Sequence, residues 1–424
     1  MARFSRLSDW LSWQETLHPR AIDMGLERLQ RTLERLRWHP PACPVITVGG
    51  TNGKGSCVAL LSRILASAGY RVGTFTSPHL RRYNERITID GREVSDASLI
   101  AAFERIDAAR GDDTLTFFEF NTLAALLVFE TAHLDAIVLE VGMGGRLDAV
   151  NVVDADVALV TSIALDHCEW LGADTETIGR EKAGIFRAGR PAVFGARAMP
   201  QSIETEAQRI GSRLQRLGVA FDFERSEERW TWWSAAPDAR LEALPPPALF
   251  GDAQYDNASA VLQVVHALSE RLPVARAAIE AGLRSVQLAG RFQIIPGGVE
   301  WVLDVAHNPA AARTLAEQLG ADTSSRSTFA VCGILGDKDV EGIAQVLHGS
   351  FTGWFIAALA GARAIDPDEL AQRLRQQGAN VMGIGRSVAA ACELARRAAR
   401  PGDRVIVFGS FLTVGPALEW LAAG

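Results

Sequence analysis

Side chains suited to phosphate chemistry recur at restricted places along the chain. The turn "VGGTNGKGS" (48–56) surrounds Lys54 with glycines and follows it with the hydroxyl of Ser56. Glycines let main-chain N–H groups approach an anion, and a helix opening at the same point adds its dipole. From Gly49 the spacing is G-x-x-x-G-K-G-S, one residue shorter than the usual G-x-x-x-x-G-K-[ST] loop, with Gly55 between lysine and hydroxyl. Further on, "RVGTFTSPHL" leads to Ser77, "AIVLEVGMGGRLD" closes an apolar run with Glu140, and "VALVTSIALDH" delivers Asp166 and His167. A hydroxyl and a carboxylate suit Mg2+, which takes oxygen ligands and keeps waters and phosphate oxygens in its shell. His167 is the odd member, and from the residues alone it reads as a hydrogen-bonding group or a zinc ligand.

These residues need a scaffold that gathers them. Short apolar runs ("VITVGG", "RVGTFTS", "LDAIVLEVG", "DVALVTSIALDH", "PAVFGA") alternate with helical patterns, which predicts a parallel sheet covered on both faces. Ligands of such sheets sit beyond the carboxyl ends of the strands, where the glycine turn, Ser77, Glu140 and Asp166–His167 all fall. The rhythm restarts with "EWVLDVAHN", "TFAVCGILG", "GWFIAAL", "ANVMGIG" and "DRVIVFGSF", a second α/β unit. Between the two, roughly 200–250 reads as an antiparallel excursion closed by a proline loop. A helical pattern follows from about 255 to 286, and "LAGRFQIIPGGVE" reads as the connection into the second unit. The expected domains are 1–287 and 288–424, in keeping with a chain of 424 residues exceeding what one core supports.

In order and spacing, "GTNGKGS", "TSPHLRRYNERI", "TFFEF", "LEVGMGGRLDAVN", "SIALDHCEWLG", "TIGREKAGIFR", "GRFQ", "DVAHNP" and "GSFLTV" resemble the bifunctional dihydrofolate synthase/folylpolyglutamate synthases, members of the ATP-dependent Mur-type ligases. The likeness covers nearly the whole chain. It implies an N-terminal P-loop ATPase domain of Mur-ligase type with a parallel sheet, and a smaller Rossmann-like C-terminal domain completing the ATP and glutamate site. The implied reaction is an ADP-forming acid–amino acid ligation. ATP phosphorylates the carboxylate of 7,8-dihydropteroate or of a reduced folate, and L-glutamate's amine displaces phosphate from the acyl phosphate. No covalent enzyme nucleophile is needed, which agrees with the lack of a G-x-S-x-G elbow.

The resemblance also assigns residues. Asn52, Gly53, Lys54, Gly55 and Ser56 would hold phosphates, and Ser77 and Glu140 one Mg2+. Glu140, His167 and a Lys182 carboxylated by CO2 would hold a second, the family reading of His167 replacing the one made from its chemistry alone. Asn257, Arg291 and Asp304 would meet the nucleotide and His307 the γ-phosphate. The pterin positions would be Gly25, Leu26 and Glu27, Thr116 and Phe118, and Leu147, Asp148 and Ala149. Phe118 also fits a core aromatic beside "NTLAALLVF", and "MGLERL" an amphipathic helix start. A monovalent cation is a further cofactor the family allows. Many relatives have His-Gln before the adenine-side asparagine where this chain has Ala253-Gln254, so a contact from that histidine is not expected here.

Bulk properties narrow the alternatives. A net charge of -7 offers no broad cationic surface for nucleic acid or membranes. The N-terminal "MARFSRLSDWLSWQETLHPR" lacks an apolar signal core, no run is long enough to span a bilayer, and the five scattered cysteines form no C-x-x-C pair. A cytoplasmic monomer acting on small molecules is expected. A cell-wall Mur ligase would need a separate domain before Val45, a small-molecule kinase would stop at phosphoryl transfer, and a GTPase-like switch would carry N-K-x-D, which is absent.

Overall fold

The structure, a computed structural model, describes residues 3–235, 239–321, 327–361 and 363–423. Its N-terminal sheet contains β1 (Val45–Gly49), β2 (Val72–Phe75), β3 (Ile87–Ile89), β4 (Arg92–Glu93), β5 (Ala136–Glu140), β6 (Val157–Val160), β7 (Pro191–Phe194) and β8 (Arg213–Arg216). Their spatial order is β4-β3-β2-β5-β1-β6-β7-β8. From β2 to β8 neighbouring strands are parallel; β3 and β4 form an antiparallel margin.

Burial follows the pleat. On β5, Ile137 and Leu139 enter one core while Ala136 and Val138 enter the opposite one; on β6, Ala158 and Val160 part from Val157 and Leu159 in the same way. Side chains two apart share a face, so a strand apolar at every position must be covered twice, as these are. The helix Lys54–Ser67 covers one face with Leu61 and Ile64, while Phe117–Glu130 covers the other with Phe120 and Leu123.

The C-terminal sheet contains β12 (Gln293–Ile295), β13 (Glu300–Leu303), β14 (Thr328–Cys332), β15 (Gly353–Ala357), β16 (Val381–Gly385) and β17 (Arg404–Phe408), ordered β12-β13-β17-β14-β15-β16. Only β12 runs antiparallel to its neighbour. On β17, Ile406 and Phe408 enter one core and Val405 and Val407 the other. The expected α/β class and the two sheets are therefore present.

The region between departs from expectation in detail. Residues 200–250 are not wholly antiparallel: the helix Gln201–Ile210 leads into β8, which joins the N-terminal sheet parallel to β7. Only then comes the antiparallel group β9 (Phe221–Arg225), β10 (Trp230–Ser234) and β11 (Arg240–Leu244). β8 reads "RLQR", with one apolar residue, because a sheet-edge strand has little to bury. The helical pattern of 255–286 is two helices, Ala253–Ala267 and Arg276–Ser285, separated around Pro273, where a continuing helix would lose an N–H and clash. "FQIIPGG" is likewise more than a connection, since Gln293–Ile295 forms β12.

Candidate active site

The carboxyl ends of both sheets face one cavity of about 420 Å3, a volume suited to a nucleotide-sized ligand. Gly50 and Gly53 have φ of +135° and +91°, and Gly53 caps the helix Lys54–Ser67. A Cβ at Gly50 would overlap the Thr161 hydroxyl, and one at Gly53 would lie 2.6 Å from Asn257 Oδ1. Thr161 Oγ1 and Ser162 Oγ donate to the Asn52 carbonyl at 2.6 and 3.1 Å, so the loop after β6 fixes the glycine turn.

Two lysines converge there. Lys54 Nζ donates to Gly50 O at 3.0 Å and Thr51 O at 3.1 Å, while Lys182 Nζ donates to the same Gly50 O at 3.0 Å. Burial lowers both pKa values, and the Lys54 charge lowers that of Lys182 further, to about 7. Lys182 ends a turn of the helix Thr175–Ala183 that lies against the "GMGGRL" loop. Gly145 permits the approach, since its Cβ would stand 2.8 Å from the carbonyls of Glu181 and Lys182. Two cations around one carbonyl make a site that an anion would relieve. On the phosphate-holding role the resemblance implies for Lys54, Lys54→Met is expected to weaken ATP binding about 10- to 100-fold, read by titration calorimetry, through loss of a charge-assisted contact.

Glu140 closes β5, buried, and its Oε2 accepts the Ser77 N–H at 3.3 Å. Burial raises its pKa against the pull of Lys54 and that N–H. Ser77, Glu140, His167 and Lys182 all line the cavity. Among the described residues no group of three or more His, Cys, Asp or Glu side chains is poised to hold a metal. The set on hand is one carboxylate, one imidazole, one hydroxyl and one lysine. That sparse donor set fits Mg2+ only where phosphate and water oxygens complete the shell. Burial, more than the surrounding charges, lowers the pKa of His167 to about 4, so its ring is neutral and able to ligate.

Across the cavity, Asp304 follows β13 and accepts the N–H groups of Phe292 and Ala306 at 2.8 and 2.7 Å. Arg291 lies 5.2 Å from the Phe411 ring centroid, and its Nη2 would be 3.7 Å from a Cβ on Gly55, which brings it to the glycine turn. Asn257 Nδ2 donates to Gln254 Oε1 at 3.0 Å, and Ala253, with no polar side chain to offer, lines the cavity beside them. His307 Nε2 lies 3.5 Å from Asp166 Oδ2.

The pterin candidates gather beside this cavity rather than in its wall. The Arg28 guanidinium bonds Glu119 at 2.9 Å and ties the helix Glu27–Leu36, with Gly25 and Leu26 before it, to the helix headed by Thr116. A Cβ on Gly142 would lie 2.6 Å from the Phe118 ring, and Met143 N–H donates to Asp148 at 2.8 Å. Thr116 is also a helix cap, its Oγ1 accepting the Glu119 N–H at 3.3 Å. Phe118 is half-buried, 5.7 Å from Phe75. Asp148 and Ala149 are buried and Leu147 half-buried; burial raises the Asp148 pKa to about 6. Glu27 is exposed.

Several cavity-side groups escape sequence reasoning. Lys338 Nζ, from the loop after β14, pairs with Asp166 Oδ1 at 2.6 Å, with both side chains buried. Asn308 and Asn52 exchange amide bonds at 3.1 and 3.3 Å. "ILGDKD" and "AHNP" follow apolar strands, the same signal that exposed Ser77 and Glu140, so these were findable. Phe250 was not: it is 41 % exposed, stacks on Phe292 at 4.6 Å and lines the cavity beside Gln254, but it lies in an irregular segment.

Comparison with known proteins gives a consistent picture. Residues 48–215 match the Mur ligase middle domain and residues 290–411 the Mur ligase, glutamate ligase domain. The chain is 44% identical over 422 residues to the dihydrofolate synthase/folylpolyglutamate synthase of Escherichia coli (strain K12), covering 99% of this chain and 96% of that relative. Among solved structures, Escherichia coli FolC in complex with DHPP and ADP superposes with a TM-score of 0.93 at 44% identity, covering 99% of this chain and 98% of that one. A bifunctional folylpolyglutamate synthase/dihydrofolate synthase with Mn, AMPPNP and L-glutamate bound superposes with a TM-score of 0.90 at 44% identity, with the same coverage. No helix among the described residues is long and apolar enough to cross a membrane.

Proposed function

The chain belongs to the dihydrofolate synthase/folylpolyglutamate synthase family of Mur ligases, and on that premise we propose that it joins L-glutamate both to 7,8-dihydropteroate and to reduced folates at the expense of ATP. The observation that carries this reading is the convergence of a phosphate cradle, Glu140, His167 and Lys182 on one cavity, with the pterin candidates beside it.

In this reading each step has an assigned residue. The main-chain N–H groups of 52–56 and the Lys54 ammonium hold the nucleotide phosphates, with Arg291 supplying a second positive charge from the C-terminal domain. Glu140, Ser77, His167 and a carbamylated Lys182 hold divalent ions, which when bound neutralise phosphate charge. A carboxylate oxygen of the acceptor takes the γ-phosphoryl group and ADP leaves. The glutamate amine then attacks the acyl carbon, and phosphate departs with the acid's oxygen. Lys182 is suited to carbamylation because only a neutral amine reacts with CO2, and its pKa of about 7 supplies that form. Lys54, the neighbouring charge that lowers this pKa, then gains an anionic partner.

Phe250 and Asn257 bound the nucleobase end in this reading, and Asp304 and His307 bring the C-terminal domain to the phosphates. Thr116–Phe118, Gly25–Glu27 and Leu147–Ala149 take the pterin. The working division remains 1–287 for ATPase and pterin binding and 288–424 for closing the ATP and glutamate site. A monovalent cation completes the cofactor set, and the protein acts as a cytoplasmic monomer.

With Mg-ATP and L-glutamate, purified protein is expected to convert dihydropteroate to dihydrofolate and to lengthen a reduced folate, both read by mass spectrometry. Acceptor acid labelled with 18O in its carboxyl should pass one label into inorganic phosphate. Phosphate free of label would rule out the acyl phosphate, and loss of the first product alone would leave polyglutamylation standing.

A further inference from the structure

Arg86 is a buried guanidinium left largely unused. It closes the short turn Tyr83–Arg86, and its carbonyl accepts the Thr76 N–H at 2.8 Å, which sets it beside the Ser77 loop. The residue is 8 % exposed. Its Nε donates to His79 Nδ1 at 2.8 Å, and its guanidinium carbon lies 5.5 Å from the Phe117 ring and 5.8 Å from the Tyr83 ring. Among the described residues no carboxylate pairs with it and its two terminal nitrogens donate no hydrogen bond, yet neither is sealed off as a buried unsatisfied atom.

Glu140 and Glu85 lie near enough to favour the charged guanidinium, but neither hydrogen-bonds it. Glu85 is consumed by the N–H groups of Leu80, Arg81 and Arg82 at 2.8, 2.9 and 2.8 Å, and Glu140 accepts from Ser77 and belongs to the cavity. By contrast Arg404 is paired with Glu300, and Arg28 with Asp23 and Glu119. A guanidinium has five donors in a planar fork, and burying it without a counter-ion is costly. Arg86 therefore has donors to offer an anion that comes from outside the chain.

Its position indicates which anion. Arg86 stands between the Ser77 loop, at the phosphate end of the site, and Phe117, the neighbour of the pterin candidates Thr116 and Phe118. A ligand with its flat ring near Phe118 and its acid end toward Glu140 would run along the Ser77 loop, which Arg86 backs. From that juxtaposition we infer that Arg86, oriented by His79, anchors the carboxylate of the acceptor acid. Each carboxylate oxygen carries two lone pairs, so a grip by the two terminal nitrogens leaves one free to take the phosphoryl group. The Nδ1 of His79, accepting from Arg86, places that ring's proton on Nε2 and holds the fork in plane. This inference rests on the proposed acid acceptor and adds to it the group that selects an acid over a neutral pterin.

The test is binding without nucleotide, by calorimetry, of dihydropteroate and of its analogue lacking the carboxyl group. Arg86→Gln is expected to weaken dihydropteroate about 10- to 100-fold while leaving the decarboxylated analogue within about threefold of wild type, since only a charge-assisted contact is lost. Arg86→Lys should recover part of the loss, because an ammonium supplies charge but no fork, and it serves as the test should the glutamine variant fail to fold. Equal weakening of both ligands, or of neither, overturns the assignment. Decarboxylated analogue that binds wild-type protein as tightly as dihydropteroate does would also overturn it while sparing the pterin reading; wild-type protein that binds neither ligand would sink both.

Discussion

Lys182→Ala is expected to lower turnover of dihydropteroate and of reduced folate by about 10³-fold or more, the scale of removing a preorganised electrostatic group from a dry site. ADP affinity should change little, because the phosphate cradle and Lys54 remain. Lys182 is only 5 % exposed, and its head has one hydrogen bond, to a carbonyl already used by Lys54. As ammonium it would repel both Lys54 and any divalent ion. As a carbamate it keeps one N–H for Gly50 O and presents two oxygens to a cation. The sign of the pH dependence follows. The pKa is lowered to about 7, so as pH falls through that value the amine becomes protonated and cannot take up CO2. Turnover at limiting CO2 should therefore decline on the acid side of about pH 7 and recover when bicarbonate is added. A 13C carbamate resonance from labelled bicarbonate should be present in wild-type protein and missing from the variant. Turnover of Lys182→Ala near that of wild type would eliminate the role.

What made the scaffold legible was the pleat. Strands such as "VITVG" and "AIVLE" are apolar at consecutive positions because both faces are covered, and the groups that follow them fall at one sheet edge. Ser77, Glu140, Asp166 and His167 could be read off that rule alone. Lys182 could not. A lysine within "GREKAGIF" has the pattern of a solvated helix, and only the helix packing on Gly145 buries it. β8 escaped because an edge strand need not be apolar, and Phe250 because an aromatic in an irregular loop has no periodicity to betray it. Arg86 was hidden differently: "RRYNER" looks like exposed charge, yet Asn84 and Arg86 are buried while Arg81 and Arg82 are not. Local pattern registers which face of a strand is covered, but not which charge of a turn is turned inward.

A buried ion pair crosses the junction between the two domains, beside the Asn52–Asn308 amide bonds and the Phe250–Phe292 stack, and its removal should have a large effect on stability. Asp166 Oδ1 accepts Lys338 Nζ at 2.6 Å, and its Oδ2 faces Asn308 Nδ2 at 3.3 Å and His307 Nε2 at 3.5 Å. Burial alone would raise the Asp166 pKa, but the hydrogen bond from His307, the Lys338 charge and, in acid where the ring protonates, the charge of His167 hold it far below the ordinary carboxylate range. Because the folded value lies below the unfolded one, this contribution is complete above about pH 5 and is lost as pH falls below about 4 toward the depressed value. Asp166→Asn leaves Lys338 charged and buried with only the more distant carboxylate of Asp337, at 3.8 Å, and is expected to cost up to about 3–5 kcal/mol in urea unfolding at neutral pH. Lys338→Met should cost less, since Asp166 keeps its amide and imidazole donors. The double variant should recover a large part of the Asp166→Asn loss, because no unpaired ammonium remains. Strictly additive single losses would show that the two charges stabilise the junction independently, and the account of the closed cavity as held by their pairing would fall.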